Sequence, residues 1–257
     1  MSDNKDNNKP SEEIFKPPVK KTIPDDSGAI YGLDLYPDRR KNKQTTFSKT
    51  ILMQEGKEDL KKFNCEKKLY DCIKTHPLVK LMMGALKSSG CSMDLRRHFS
   101  CEECDPSVTG GYDPEMNQIV ICQNSSKSKG MIASVLVHEM IHMFDYCKNN
   151  LDFKNIDHVA CTEIRAANFT YCSFLSGWFE GDASLRDFRK KHRECVKRRA
   201  AISVLASRKT TEEEALAAVE RVFDKCYNDM EPIGRRIKRR EDMDVALAEA
   251  SFYGYDT

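Results

Sequence analysis

The stretch SVLVHEMIHMFDYC, residues 134–147, decides the fold because it carries three polar side chains within an apolar helical run. Its other positions up to residue 144 are uncharged, so the helix is predicted to be buried. His138 and His142 share one helix face, and Glu139 lies about 100° around the axis from His138. A metal ion held by both imidazoles, with the glutamate as base, satisfies all three buried groups. A buried histidine–glutamate hydrogen-bond network is the alternative.

Three residues compete to be the third ligand that a catalytic zinc site needs beside its open position. Glu163 is favoured, because a helix that returns antiparallel past the first one can deliver its carboxylate to the metal. His158, at the predicted start of that helix, is the second candidate, and it can instead stabilise a developing oxyanion. Asp145 lies on the stripe of His142, but its short side chain favours orienting an imidazole N–H over binding the metal.

The chain divides into three predicted parts. Residues 1–57 are polar and lack apolar periodicity, which predicts a disordered N-terminal tail. Residues 58–234 alternate helical patterns with one β-hairpin, which predicts a mostly helical α+β domain. Residues 235–257 are predicted to form a charged C-terminal tail. Besides two helices at the start of the domain, the later helices are predicted at about 130–148, 158–176, 184–206 and 211–227.

Eleven cysteines, all beyond residue 60, are many for a reducing compartment. Disulfides are the favoured interpretation, and at least three are expected. An irregular four-thiolate metal site of Cys91, Cys101, Cys104 and Cys122 and plain buried thiols stay open as alternatives. The N-terminus shows neither a secretory core nor a transit pattern. An oxidising compartment reached without a secretory signal, such as the mitochondrial intermembrane space, reconciles these two observations.

The charge balance argues against a nucleic-acid partner. The net charge is only +2, so no global basic field surrounds the protein. Two basic runs, 186–199 and 235–240, are more typical of solvated helix faces or tails than of binding patches. No stretch approaches the roughly 18 consecutive apolar residues of a membrane span.

Six blocks stand in order between about residues 60 and 235: HFSCEEC, GGYDPEMNQIVICQN, VHEMIHMFDYC, NIDHVACTEIRAANFTYCSF, HRECVKRRAAISVLA and VFDKCYNDMEPIGRR. Together they resemble a family of mitochondrial intermembrane-space metalloproteases. That family processes an ATP synthase membrane subunit and helps to assemble the ATP synthase. Six blocks in order are far more specific than the HExxH motif alone.

The resemblance implies a zincin-like metalloendopeptidase whose small β-hairpin packs against the HExxH helix. It implies one zinc ion bound by His138 and His142, with Glu139 as the catalytic residue. It also implies peripheral attachment to the inner membrane on the intermembrane-space side, and removal of a presequence from the precursor of the ATP synthase subunit. Assistance in assembly is regarded in the family as separable from proteolysis.

Three questions stay open from the sequence. An assembly chaperone with dispensable proteolysis is one alternative function. A nuclear DNA-repair partner is another, suggested by the Ku-binding name of a human relative and by the basic run 186–199, although the low net charge and the cysteines count against it. The strand predicted at Ile119–Cys122 either holds an extended substrate by edge pairing or belongs to the core.

Overall fold

The computed structural model describes Tyr36, residues 54–172 and residues 188–257. The predicted tail therefore lies outside the described residues, except for Tyr36 and residues 54–57. The predicted helix ends at 173–176 and 184–187 also lie outside them.

The described residues form a mostly helical α+β fold, as predicted. Its helices are α1 (Gln54–Thr75), α2 (Pro77–Ser88), α3 (Lys129–Lys148), α4 (Ile156–Thr170), α5 (Phe188–Ser207), α6 (Glu212–Asn228) and α7 (Arg240–Glu249), followed by a 3₁₀ turn, Ala250–Tyr253. Its strands are β1 (Phe99–Glu102), β2 (Gly110–Asp113) and β3 (Gln118–Cys122). Helix α1 begins at Gln54, so residues 54–57 are helical rather than the end of a tail. Among the described helices, none combines the length and apolarity that crossing a bilayer requires.

The three strands form one sheet in the order β1-β3-β2. Strands β2 and β3 pair antiparallel, which confirms the predicted hairpin, and β1 pairs with β3 in parallel. Because β3 has a neighbour on each side and its apolar residues are almost fully buried, Ile119–Cys122 belongs to the core. Strands β1 and β2 are the two edge strands, and each pairs with β3 alone among the described strands.

Two apolar cores meet along helix α4. The first core lies among α1, α2, α3, α7 and the sheet, and it includes Ala166 and Phe169 of α4. The second core lies among α4, α5 and α6, and it includes Val159 and Ile164 from the other side of α4. Helix α4 is therefore buried along most of its length, with an apolar core on each side.

Five disulfides join these elements, which confirms the expectation of at least three. They are Cys65–Cys101, Cys91–Cys147, Cys104–Cys122, Cys161–Cys226 and Cys172–Cys195. The alternative four-thiolate metal site is wrong, because Cys91 and Cys101 pair outside that set and Cys104 pairs with Cys122 within it. Cys72 is the remaining thiol and is buried. Cys161–Cys226 and Cys172–Cys195 tie helix α4 and its C-terminal end to α6 and α5.

The segment 235–257 is not the charged tail that the sequence predicts. It forms helix α7 and the 3₁₀ turn, which pack on α2 and bury Ala246, Ala250 and Tyr255. The chain passes so close to α2 that a Cβ atom at Gly84 would lie 2.8 Å from the carbonyl oxygen of Asp256. The sequence signal is weak because the buried residues are mainly alanines, which add little to an apolar pattern.

The described part of the basic run 186–199 lies in helix α5. In α5, Arg193 pairs with Asp224 and Lys197 with Glu220, both on helix α6. These cations are therefore paired within the chain, as expected for a helix face rather than for a nucleic-acid patch.

Candidate metal centre

Helices α3 and α4 pack antiparallel and bring three ligand groups together. His138 Nε2 lies 3.4 Å from Glu163 Oε2, and His142 Nε2 lies 3.5 Å from Glu163 Oε1. Further along, Asp145 contacts Thr162, whereas His138 contacts Thr170, so the two helices run in opposite directions. The prediction that a returning helix delivers Glu163 between the two imidazoles agrees with this geometry.

The other two candidates lie outside this cluster. His158 is exposed at the start of α4, and its Nδ1 accepts a hydrogen bond from the backbone N–H of Asp152. Asp145 is buried, and its carboxylate accepts hydrogen bonds from Thr162 and Arg165. Within the described residues, the carboxylate that lies against both imidazoles is that of Glu163.

A threonine of α4 faces the second nitrogen of each histidine. His142 Nδ1 lies 2.9 Å from the hydroxyl of Thr162, which donates to Asp145 at 2.7 Å. Because the single hydroxyl proton points at a carboxylate, Thr162 accepts the N–H of His142, which leaves Nε2 free to bind a metal. Thr170 stands 3.5 Å from His138 Nδ1 and donates to the carbonyl of Ala166. No pattern in the sequence pointed to either threonine.

The cluster fits a zinc ion. His138, His142 and Glu163 each offer one ligand atom, these atoms lie within 4.8 Å of one another, and within the described ranges they form the one such group. Glu163 Oε2 is buried and makes no well-formed hydrogen bond, its contact with His138 Nε2 at 3.4 Å being a long one, and folded proteins rarely leave such an atom unexplained. Two imidazole nitrogens and one carboxylate oxygen are a common ligand set of catalytic zinc.

The pKa values of the two histidines are shifted in opposite directions. Burial lowers the pKa of His142 to about 4, so this imidazole is neutral at pH 7, the form that binds a metal. Burial alone would also lower the pKa of His138, but the neighbouring carboxylates of Glu163 and Glu139 outweigh it and raise that pKa. Zinc would bind Nε2 only in its deprotonated form, so the ion and a proton would compete for His138.

Glu139 lies beside the ligand cluster and next to strand β2. Burial raises the pKa of its carboxyl to about 7, while the positive charge of His138 and a hydrogen bond from the backbone N–H of Tyr112 act in the opposite direction. Gly110 allows this close approach, because a Cβ atom there would lie 2.4 Å from Val135 on α3. The glycine therefore lets β2 pack directly over the helix that carries the histidines.

Tyr171, the residue that follows α4, completes the surroundings. Its ring centroid lies 5.1 Å from that of His138. Burial raises the pKa of its hydroxyl to about 12, as do the charges of Glu139 and Glu163, whereas a hydrogen bond with Thr109 lowers it. The hydroxyl is therefore protonated at pH 7 and can act as a donor. No sequence signal distinguishes Tyr171 from a core tyrosine at the end of an apolar helix.

The whole arrangement falls within a stretch that matches a known family. The sequence profile of the Peptidase M76 family matches residues 63–234. The chain belongs to the Peptidase M76 family. The matched range includes α3, α4 and every residue of the ligand cluster, and it ends before α7. No solved structure gives a significant match to this M76 chain.

Relatives of this M76 chain carry names that refer to proteolysis at a membrane. A zebrafish protein named mitochondrial inner membrane protease ATP23 homolog is 41% identical over 218 residues, which cover 84% of this chain and 82% of the relative. The human protein of the same name is 43% identical over 66% of this chain and 69% of its own length. The Schizosaccharomyces pombe protease atp23 is 39% identical over 66% of this chain and 90% of its own length.

Proposed function

We propose that this protein is a zinc metalloendopeptidase of the HExxH type with a zincin-like fold. The observation that carries the proposal is the convergence of His138, His142 and Glu163, with Glu139 beside them on the same helix. Residues 58–234 are proposed as the peptidase domain. The two imidazole Nε2 atoms and the carboxylate of Glu163 would hold the ion. When bound, zinc supplies a Lewis acid that makes water a nucleophile near neutral pH and polarises a carbonyl.

Glu139 is the proposed general base. Its carboxylate accepts a proton from the attacking water and then delivers it to the nitrogen of the cleaved peptide bond. A pKa near neutrality suits both transfers, because the group must accept and release a proton at the working pH. The backbone N–H of Tyr112 lies near the carboxylate and favours its charged form.

Strand β2 is the proposed docking edge for an extended substrate. Thr109 accepts the backbone N–H of Cys122, so Gly110 and Tyr112 occupy the positions whose backbone groups point away from β3. The hydroxyl of Tyr36 donates to the carbonyl of Gly110, so a peptide bound along this edge would displace that contact. Tyr112 is the residue that contacts Glu139, which places this edge beside the base. A peptide that pairs with β2 would bring its backbone to the catalytic residues.

Tyr171 is the proposed donor to the oxyanion that forms on the attacked carbonyl, a role that the sequence left open to His158. Tyr171→Phe is expected to lower kcat by about a hundredfold or more with little change in KM or zinc content, because the donor acts in the transition state. His158→Ala is the control and should leave kcat nearly unchanged. The measurement is steady-state cleavage of a peptide, beside metal analysis of each variant. A tenfold slower His158→Ala enzyme with a normal Tyr171→Phe enzyme would reverse the assignment.

The proposed setting is the intermembrane-space side of the mitochondrial inner membrane, with peripheral attachment. Five disulfides are typical of proteins that fold in an oxidising compartment. The relatives are named mitochondrial inner membrane proteases. The proposed substrate is the precursor of an ATP synthase membrane subunit, as the resemblance of the six blocks implies.

Metal analysis of purified variants tests the proposal. The oxidised full-length protein should bind about one zinc, and His138→Ala, His142→Ala and Glu163→Ala should each lose most of it, since two donors hold zinc weakly. Thr162→Val should weaken zinc binding by about 10- to 100-fold rather than abolish it, because it removes the group that orients His142. Cys72→Ser, which removes the unpaired thiol, is the control. Stoichiometric zinc in a His138→Ala/His142→Ala protein would refute the assigned site.

A further inference from the structure

The outer face of the sheet, on the side opposite helix α3, has a hollow at Gly111. A Cβ atom at Gly110 would meet Val135 of α3, and side chains alternate along a strand, so position 111 faces the other side. Because Gly111 has no side chain, the neighbouring residues of the sheet border an open space there. The bordering side chains form a small apolar cluster of Cys104, Val108, Val120 and Cys122.

The side chain of Tyr36 fills this hollow. Its ring packs against the same apolar cluster, and its hydroxyl donates to the carbonyl of Gly110 at 2.8 Å. The three atoms nearest to a Cβ atom built at Gly111 all belong to Tyr36. An aromatic side chain that covers a glycine in an edge strand shields the exposed backbone from water. The hollow therefore has the size and the chemistry to take a phenol ring.

The contact with Tyr36 uses an edge atom of β2 that lies beside the candidate metal centre. The carbonyl of Gly110 points away from β3, so it is an acceptor that a peptide paired with this edge would use. Further along β2, Tyr112 contacts Glu139, and Thr109, just before the strand, is hydrogen-bonded to Tyr171. The hollow thus lies between two residues that contact proposed catalytic groups.

A peptide that pairs antiparallel with β2 would place one side chain directly over the hollow. Gly110 and Tyr112 would exchange hydrogen bonds with the peptide, so Gly111 would face its partner residue in a non-hydrogen-bonded pair. The two Cα atoms of such a pair are only about 4.5 Å apart, and their side chains lie on the same face of the sheet. Tyr36 lies on that face. The peptide side chain and Tyr36 would therefore compete for one space.

We propose that the hollow over Gly111 is a substrate subsite that selects an aromatic side chain, and that Tyr36 occupies it until a peptide binds. The inference rests on the docking edge proposed above and names the side chain that this edge selects. Tyr36 makes two contacts here, the packing of its ring and the hydrogen bond to Gly110. A peptide with an aromatic residue opposite Gly111 replaces both contacts, whereas a peptide with alanine there replaces only the hydrogen bond.

Fluorescence anisotropy of labelled peptides tests the subsite on the oxidised, zinc-loaded full-length protein. Glu139→Gln is introduced so that binding is measured without cleavage. The probe is a peptide of threonine and lysine residues with one central tyrosine, and the comparison peptide has alanine in place of the tyrosine. We expect the tyrosine peptide to bind about tenfold more tightly, because it buries an aromatic ring that the alanine peptide lacks.

Two variants, each with a matched control, test the two halves of the proposal. Gly111→Ala should remove most of the preference for tyrosine, because its methyl group occupies the hollow. Gly130→Ala is its control and should keep the preference, since a Cβ atom there meets nothing within 4 Å. Tyr36→Ser should tighten the binding of both peptides about fivefold, because the competing conformation is lost. Phe63→Ser removes a ring that is 62% exposed on α1, and it should change neither affinity.

Several results would overturn the subsite. Equal affinity for the two peptides is one, and a preference for tyrosine that survives Gly111→Ala is another. Weaker binding of both peptides to Tyr36→Ser would make Tyr36 part of the binding surface and would refute the competition. Absence of binding by either peptide would overturn the docking edge together with the subsite. The expected binding pattern without cleavage by the protein that retains Glu139 would support the subsite and count against the proposed peptidase, so the two proposals can fail separately.

Discussion

Glu139→Gln is expected to lower peptide cleavage by about a hundredfold to ten-thousandfold while zinc stays bound, because the variant loses a general base but no ligand. The amide is similar in size to the carboxylate and cannot accept the proton of water. The ligand atoms come from His138, His142 and Glu163, so the metal content should match that of the unchanged protein. Peptide cleavage and metal analysis on the same preparation measure both quantities.

Glu115→Gln is the matched control for this experiment. It changes an exposed glutamate in the turn between β2 and β3, and it should leave cleavage unchanged. Normal cleavage by Glu139→Gln would remove Glu139 from the mechanism. The same variant separates two functions in cells: if it restores ATP synthase assembly without cleavage, assistance in assembly does not depend on proteolysis.

Arg165→Met is expected to have the largest effect on stability, a loss of about 3–5 kcal/mol in the free energy of unfolding. Arg165 is 2% exposed, and its guanidinium binds the buried carboxylate of Asp145 on α3. It also pairs with Asp229 and donates to the carbonyl of Glu231, in the segment after α6. Methionine fills much of the same volume but leaves the charge of Asp145 buried without its cation.

Denaturant unfolding of the oxidised proteins measures this loss. Arg221→Met, which breaks the surface pair between Arg221 and Asp157, is the control and should change stability very little. Asp145→Asn/Arg165→Met should recover part of the loss, since it removes the stranded charge. Zinc binding should also weaken in Arg165→Met, because Asp145 holds the threonine that orients His142. Equal stability of Arg165→Met and the unchanged protein would contradict the importance of this buried pair.

The histidine pair was predictable because it depends on local geometry. Residues four apart in a helix share a face whatever the helix packs against, so His138 and His142 needed no knowledge of the fold. Glu163 was a weaker prediction, since its position depends on how α4 returns past α3. The sequence suggested the returning helix, but it left His158 and Asp145 open because only packing decides which side chain faces the imidazoles.

The surroundings of the site could not be predicted. Thr162 and Thr170 are eight residues apart on α4, and nothing in their spacing shows that each meets a histidine of another helix. Tyr171 and Tyr112 approach Glu139 from two different elements. Such contacts join residues far apart in the chain, and a local pattern carries no information about them.

Local spacing in the sequence by itself determined the helical character of the chain, the hairpin and the two histidines beside a glutamate, because these features repeat within a few residues. The excess of cysteines likewise predicted disulfides. Only the tertiary structure decided which cysteines pair, which strands form the edges of the sheet, and that α7 packs on α2 through small side chains. These outcomes depend on which surfaces meet when α3, α4 and the sheet pack together. The choice of those surfaces is set by the burial of residues that are distant in the chain, and no single segment determines it.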